Sequence, residues 1–450
     1  MSGDPAGPTS SAPQAEEDPK RAARLPGPSP RRRLLLALAS FCSLGLSFFT
    51  FWYVLVRLGV GDESDALFAS LVVPQFVLTV GAAGLSHVLV PLFASEEEEG
   101  FASAVWTLLG ATFLGFAALT GLLAASASLW APLLFPGFSE RALELAIALA
   151  RVQLLGALLS TSNVVLGAAH HARGRFLYAE LIPLATGLAG LAFLLLSFSR
   201  LGVHAAAWVT PLRSLLGLPF LLAGLRLGRP SLGRSDARRL AWSRLRPLIA
   251  GNAFYKTDPF VDQFLASLAA GGALTLLALA NRLFAAASQV ISSAVAVPLV
   301  PSLAREAKAQ AWERFRSIYR RGALISLTLT GAGYLVLLVA GQLLLRLLIG
   351  HGGVSEDSVY DLWLLCVCLG GVWAGACLGQ IFASSFYAQG ETTLPTRIGV
   401  VGYSLGVALK IVGFLQFGIL GIAIGTSSYY LFNALVLYVF LERRVTRAAP

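Results

Sequence analysis

Residues 31–57 read RRRLLLALASFCSLGLSFFTFWYVLVR: three arginines, then an apolar run from Leu34 to Val56 without a charge. A helix needs about 20 such residues to cross the hydrocarbon of a bilayer. A cleaved signal peptide has an apolar stretch of only about 7–15 residues, so this run reads as a retained first membrane span. The same pattern recurs along the chain. Runs of spanning length fall at roughly 34–57, 66–94, 102–130, 142–169, 177–199, 203–225, 247–270, 273–300, 322–348, 359–387, 396–415 and 417–441, twelve in all. Residues 1–33, rich in Pro, Ser, Ala and charge, read as a disordered tail.

Composition supports this reading. The chain has 450 residues, of which 13% are charged and 56% hydrophobic, and its mean hydropathy is +0.72. Soluble domains carry about 25% charged residues, so there are too few here to cover water-facing domains. A soluble protein, a disordered protein and a disulfide-stapled secreted domain are excluded. What remains is an all-α polytopic membrane protein whose outer surface is solvated by membrane lipids.

The net charge of +10 would suggest nucleic acid in a soluble protein. Here the basic residues sit in connectors, so no nucleic-acid partner is expected. Twelve spans put both termini on one side. That side collects 25 Lys/Arg, including seven in the 226–246 connector and six in 302–321, against four on the other. The positive-inside rule then places both termini in the cytoplasm. Cys42, Cys366, Cys368 and Cys377 all lie in apolar runs and read as small buried residues, with no metal site.

Two motifs recur at a shift of six spans. Val88-Leu-Val-Pro-Leu-Phe-Ala94 closes the second span, and Pro298-Leu-Val-Pro-Ser-Leu-Ala304 closes the eighth. His170-His-Ala-Arg-Gly174 follows the fourth, and Phe386-Tyr-Ala-Gln-Gly390 follows the tenth. An even shift preserves orientation, so the repeat is parallel, as in transporters with an axis along the membrane normal. The expected organisation is an N-lobe over 34–225 and a basic linker over 226–246. A C-lobe over 247–442 follows, with a short tail over 443–450, and a cavity lies between the lobes.

Several segments together resemble the MurJ/MviN lipid II flippase family of the MOP exporter superfamily. They are Gly59-Val-Gly-Asp-Glu-Ser-Asp65-Ala-Leu-Phe68 with Pro74 and Ala83–Pro91, Asp262–Ser267 running into Leu279-Ala-Asn-Arg282-Leu283, Pro298–Ala304, and Phe386–Ile398. The resemblance implies two six-helix lobes around a V-shaped cavity in a bacterial inner membrane. It also implies movement of an undecaprenyl-pyrophosphate-linked sugar to the outer leaflet by alternating access. The chain departs from the family in three ways. Relatives carry two helices beyond the twelfth. They carry cavity arginines in the first two spans, where Ser43–Val56 and Pro74–Pro91 have none. They carry an aspartate where Asn281 stands before Arg282. A related lipid-linked oligosaccharide therefore competes with lipid II as the cargo.

Ionisable residues inside apolar spans are costly and mark sites. Arg282 matches the family's cavity arginine, and its planar fork suits a pyrophosphate. The alternative is an interlobe salt bridge to Asp65 or Asp262. Asn281, Asp65, Arg151 and Arg213 complete the substrate-side candidates. Asp65 also suits capping of its own helix, and Arg151, Arg213 and Lys410 suit snorkelling to the interface. Asp258 and Asp262 share one helix face, so one holds a proton or the pair shares a cation, with Lys256 as the alternative neutralising charge. Na+ or H+ is the expected coupling ion, and no other cofactor is expected. His87 reads as a packed histidine.

No G-x-x-x-x-G-K-[ST], H-E-x-x-H or paired C-x-x-C occurs, so no enzyme chemistry or ATPase of its own is indicated. Two other readings stay open. One is an ion-coupled exporter of small amphipathic compounds, which predicts an acidic, basic-poor cavity. The other is a non-transporting scaffold on the same fold. Nothing in the sequence points to a protein partner.

Overall fold

The computed structural model describes residues 30–228, 238–246 and 256–448. The tail reading for 1–29, part of the linker and residues 247–255 of the seventh span lie outside the described residues. Within them, eleven helices are long and apolar enough to cross a membrane. They are α1 (Pro30–Leu58), α2 (Asp62–Ser95), α3 (Glu98–Ala125), α4 (Glu140–Ala172), α5 (Phe176–Leu201) and α6 (Val203–Leu225) in the first half. In the second half are α8 (Ala273–Lys308), α9 (Trp312–Ile349), α10 (Glu356–Ala388), α11 (Thr393–Phe417) and α12 (Ile419–Ala448). Between the two sets lies α7, whose described part is Asp258–Ser267.

The helices run further than their apolar runs. α1 starts at Pro30, so the last arginines of the predicted tail fall in its first turn. α8 and α9 extend to Lys308 and back to Trp312, leaving only residues 309–311 of the predicted 302–321 connector. Residues 443–448 of the predicted C-terminal tail are the end of α12. A helix satisfies its own backbone whether or not its side chains are apolar, so hydropathy marks the lipid-buried part and not the helix end. Glu442 near the end of α12 accepts from Arg316 (Nε, 2.9 Å), Arg320 (Nε, 2.7 Å) and Tyr319 (Oη, 2.9 Å) of α9. Arg444 pairs with Glu391 at 3.1 Å.

Two predicted spans are broken, and side chains answer the carbonyls set free. After α3 the chain breaks at Ser126 and resumes as a short helix, Ala127–Leu134. Ser126 Oγ donates to the Leu122 carbonyl (2.8 Å), Trp130 Nε1 to Leu123 (2.8 Å) and Arg151 Nε to Ala124 (3.2 Å). Within α10 the break falls at Leu369, where Tyr334 Oη donates to Val367 O (2.9 Å) and Ser427 Oγ to Cys368 O (2.6 Å). A carbonyl without a donor is costly in a low-dielectric setting; of these, Leu122 also keeps a close backbone donor, Ser126 N–H at 2.9 Å.

Wide π-type turns interrupt α2 at Leu78–Ala82 and α8 at Ser292–Ala296. Their starts are 214 positions apart, within the range of shifts at which the sequence motifs recur. In α8 the turn precedes Pro298, whose ring would otherwise meet the carbonyl four residues back.

The apolar outside includes Phe41, Leu114, Leu196, Val339 and Leu415. Of the cysteines, Cys366 and Cys377 are buried, while Cys42 is exposed on this outer surface, contrary to the buried reading. An apolar surface is solvated in lipid, so a small apolar residue there needs no core.

One buried cluster joins the two halves: Ala66, Phe68, Ala69 and Val72 of α2 with Leu265 and Ala266 of α7, Leu274 and Leu277 of α8, and Ile422 of α12. Helices α11 and α12 touch through glycine. A Cβ on Gly421 would sit 1.9 Å from the Gly413 carbonyl oxygen, and one on Gly425 would sit 2.8 Å from Lys410 N. Small residues allow such close packing, which drives helix association where lipid removes the hydrophobic term. Gly421→Val should therefore lower the detergent melting temperature and the folded yield, overpacking costing about 1–3 kcal/mol. Gly115→Val, which meets nothing within 4 Å, should change neither. Fluorescence size-exclusion chromatography with a thermal ramp checks both.

Candidate functional site

Three adjoining cavities open between and beside the halves. The first, about 330 Å³, is lined by Gln75, Phe76 and Thr79 of α2, by Lys256, Pro259 and Gln263 at α7, and by Arg282 of α8. The second, about 170 Å³, lies between Phe51 of α1, Phe68 of α2 and Thr210 of α6, and is shared by Arg282 and Arg213. The third, about 300 Å³, runs between α4, α5 and α6 past Asn163, Pro183 and again Arg213. The charged groups lining all three, among the described residues, are Arg282, Arg213 and Lys256, and none is acidic.

Arg282 is exposed to this space. Its guanidinium lies 4.3 Å from the ring centroid of Phe51, a cation–π contact that fixes the side chain and leaves its fork of donors free. Among the described residues it has no acidic partner, so the interlobe salt bridge expected as an alternative is not formed. Asp65 and Asp262 are occupied elsewhere. Arg213 does not snorkel to an interface. Its stem lies in a slot cleared by α5: a Cβ on Gly190 would come within 2.6 Å of Arg213 Cγ, and one on Gly187 within 3.3 Å of its Nη2. Bare backbone at these two positions lets the guanidinium reach both the second and third cavities.

The structure does not bring the other substrate candidates here. Arg151 serves the broken end of α3, as described above. Asn281 lines none of the three cavities. Asp65 is buried at one end of the bundle and caps a helix of the other half rather than its own. Gly272 N–H donates to Asp65 Oδ2 (2.7 Å) and Thr275 N–H to Oδ1 (2.8 Å). Thr275 Oγ1 donates to Oδ1 (2.5 Å) as well as lying 3.0 Å from Ser64 Oγ. The carboxylate thus sits on the positive end of α8. Gly272 has φ +90°, and a Cβ there would meet Val60 Cγ1 at 2.5 Å. At the same end Gly353 N–H donates to the Val56 carbonyl (2.9 Å). A Cβ on Gly137 would sit 1.9 Å from Ser267 O. The turns after α1, before α4, after α7 and after α9 therefore touch backbone to backbone across the two halves.

The second charged cluster stands apart from the cavities. Lys410 of α11, 0% exposed, places Nζ 2.7 Å from Asp258 Oδ1 and 2.7 Å from Asp262 Oδ1. Tyr429 Oη of α12 donates to Asp258 Oδ2 (3.2 Å), and Nζ lies 5.4 Å from the Tyr429 ring centroid. The snorkelling reading of Lys410 fails because α7 offers it two carboxylates at depth. Lys256 is exposed and lines the first cavity, so it is not the residue that neutralises the pair. His87 is exposed rather than packed. No group of three or more metal-ligating side chains occurs among the described residues.

A sequence profile described as "Lipid II flippase MurJ" matches residues 56–449. A probable lipid II flippase MurJ of Helicobacter pylori (strain J99) is 26% identical over 416 residues, covering 83% of this chain and 87% of that protein. One from Rhizobium tropici is 24% identical over 412 residues, covering 86% of this chain and 76% of that protein. Among solved structures, a lipid II flippase MurJ in an inward closed conformation superposes with a TM-score of 0.79 at 17% identity, covering 91% of this chain and 87% of that one. An inward-facing multidrug MATE transporter of the MOP superfamily superposes with a TM-score of 0.74, also at 17% identity, over 90% and 94%. At that identity the structures speak for the fold, whereas the profile, running from the end of α1 almost to the C-terminus, places this multi-pass membrane chain in the lipid II flippase MurJ family.

Proposed function

We propose that the chain moves a polyprenyl-pyrophosphate-linked saccharide, lipid II or a related lipid-linked oligosaccharide, from the inner to the outer leaflet of a bacterial cytoplasmic membrane. The observation that carries this is the sign of the cavity lining: two guanidiniums and an ammonium, with no carboxylate among the described residues. An unpaired guanidinium facing a cavity is a costly feature unless an anion visits it. A diphosphate is such an anion, and each arginine offers it a planar pair of donors. A cavity for cationic drugs would need the opposite sign, so the exporter reading gains nothing from this lining.

Arg282 and Arg213 act as two halves of one clamp from opposite lobes, meeting at the second cavity. Phe51 of α1 holds Arg282, and α6 supplies Arg213 to the same cavity. Both termini lie in the cytoplasm, so the end closed by Asp65 faces outward. Release of cargo then requires Asp65 to leave the α8 N-terminus. Its partner is a lipid-linked substrate in the surrounding membrane, and the chain acts as a transporter rather than a catalyst.

Complementation of a cell depleted of its own lipid II flippase tests the assignment directly. Wild type should restore growth, Arg282→Lys should restore it in part, and Arg282→Ala and Arg213→Ala should each lower flipping by at least about tenfold, since losing one charged hydrogen-bond partner costs about 1.5–3 kcal/mol. Normal flipping by the Arg282→Ala/Arg213→Ala double variant would remove the clamp.

Orientation and gate have their own tests. In a Cys-free background, His351→Cys should react with an impermeant thiol reagent added outside intact cells, and Ala309→Cys should not. Asp65→Ala removes the acceptor for two backbone amides and a hydroxyl, so it should raise labelling of Thr79→Cys from outside. Labelling equal to that in the Asp65 parent would show that Asp65 does not hold the gate.

A further inference from the structure

The two aspartates of α7 form a pair that asks for a cation. They lie one turn apart on one face, and Asp262 is buried. The cation is already there, and it is covalently part of the chain. Lys410 Nζ sits 2.7 Å from an oxygen of each carboxylate, with no exposure of its own. Apart from this contact, Asp262 Oδ1 is buried with no hydrogen-bond partner. We propose that Lys410 takes the place a monovalent cation would fill between Asp258 and Asp262, so that the protein binds no Na+ there and transports without it.

Charge and space both support this. An ammonium carries the same unit charge as Na+, but it is tethered to α11 and cannot be diluted away. Helix packing delivers it: Gly425 of α12 comes so close that a Cβ would lie 2.8 Å from Lys410 N, which sets α11 and α12 together opposite α7. A free Na+ entering between Asp258 and Asp262 would meet Nζ at close range, and like charges in a poorly solvated site repel strongly. Of the two carboxylates Asp258 is the more open: its side chain is 20% exposed and also accepts from Tyr429.

The cluster also sits where it matters for movement. The same helix that carries Asp258 and Asp262 presents Pro259, Phe260 and Gln263 to the cavity of Arg282. Lys410 thus fixes α7 against α11 and α12 from behind, while the front of α7 faces the cargo space. This inference rests on the transport reading only where transport is measured; the binding measurement stands without it.

Equilibrium binding of 22Na+ to the purified protein in detergent, with melting temperatures in NaCl and choline chloride at equal ionic strength, tests the proposal. The wild type should bind no more 22Na+ than the Asp258→Asn/Asp262→Asn variant, and its melting temperature should be the same in both salts. Lys410→Ala should gain 22Na+ binding and a melting temperature that rises with NaCl only, or should fold only when NaCl is present. Lys410→Met keeps the stem, fills the ligand space and should stay silent to Na+. In proteoliposomes, wild-type flipping should be equal in the two salts. Wild-type 22Na+ binding that Asp258→Asn/Asp262→Asn abolishes overturns the proposal, as does a folded Lys410→Ala variant with no response to Na+. Failure of the flipping assay alone, with silent wild-type binding, counts against the cargo and not against Lys410.

Discussion

A carboxylate buried between two halves of a membrane protein persists only if its charge is answered, and Asp65 is answered by the start of the opposite half. Two backbone amides and a hydroxyl of the α8 N-terminus point at it. Charged hydrogen bonds of this kind contribute about 1.5–3 kcal/mol each. They act at the one end where turns from both halves touch through bare glycine backbone. The apolar cluster of α2, α7, α8 and α12 packs beside this cap, and the two cavities shared by Arg282 open along α2 and α8. Move the cap and the halves lose their registration, so the shape of the cargo space follows from it.

Much of this was legible in the sequence. Each span announces itself by an apolar run of bilayer length, because lipid tolerates nothing else. Arg282 could be singled out as a charge in such a run. Partnership was not legible. Asp65 looked like the cap of its own helix because sequence reveals only neighbours, and Thr275 lies 210 positions away. Lys410 looked like a snorkelling lysine for the same reason, its carboxylates being about 150 positions upstream. Arg151 looked like a cargo contact, because hydropathy does not foresee the break at Ser126 that leaves Ala124 with a free carbonyl. Residues 247–255, which would complete the seventh span, lie outside the described residues. The signals that could have flagged Lys410 were the glycines at 402, 406, 413, 421 and 425, which predict close contact of the last two helices and hence a lysine with no route to the interface.

The two basic groups most alike on paper therefore serve opposite ends. Lys410 and Arg282 each lie in an apolar helix of the second half. What separates them is stoichiometry. Lys410 spends two of its three N–H donors on carboxylates and is fully enclosed, so its ammonium does not reach the cargo space. Arg282 meets an aromatic face, which steadies a guanidinium without consuming its hydrogen bonds. A free cation beside an empty space and a sealed cation behind the helix that bounds it are different devices. The first is built to receive an anion that comes and goes, and the second to keep α7 in place while it does.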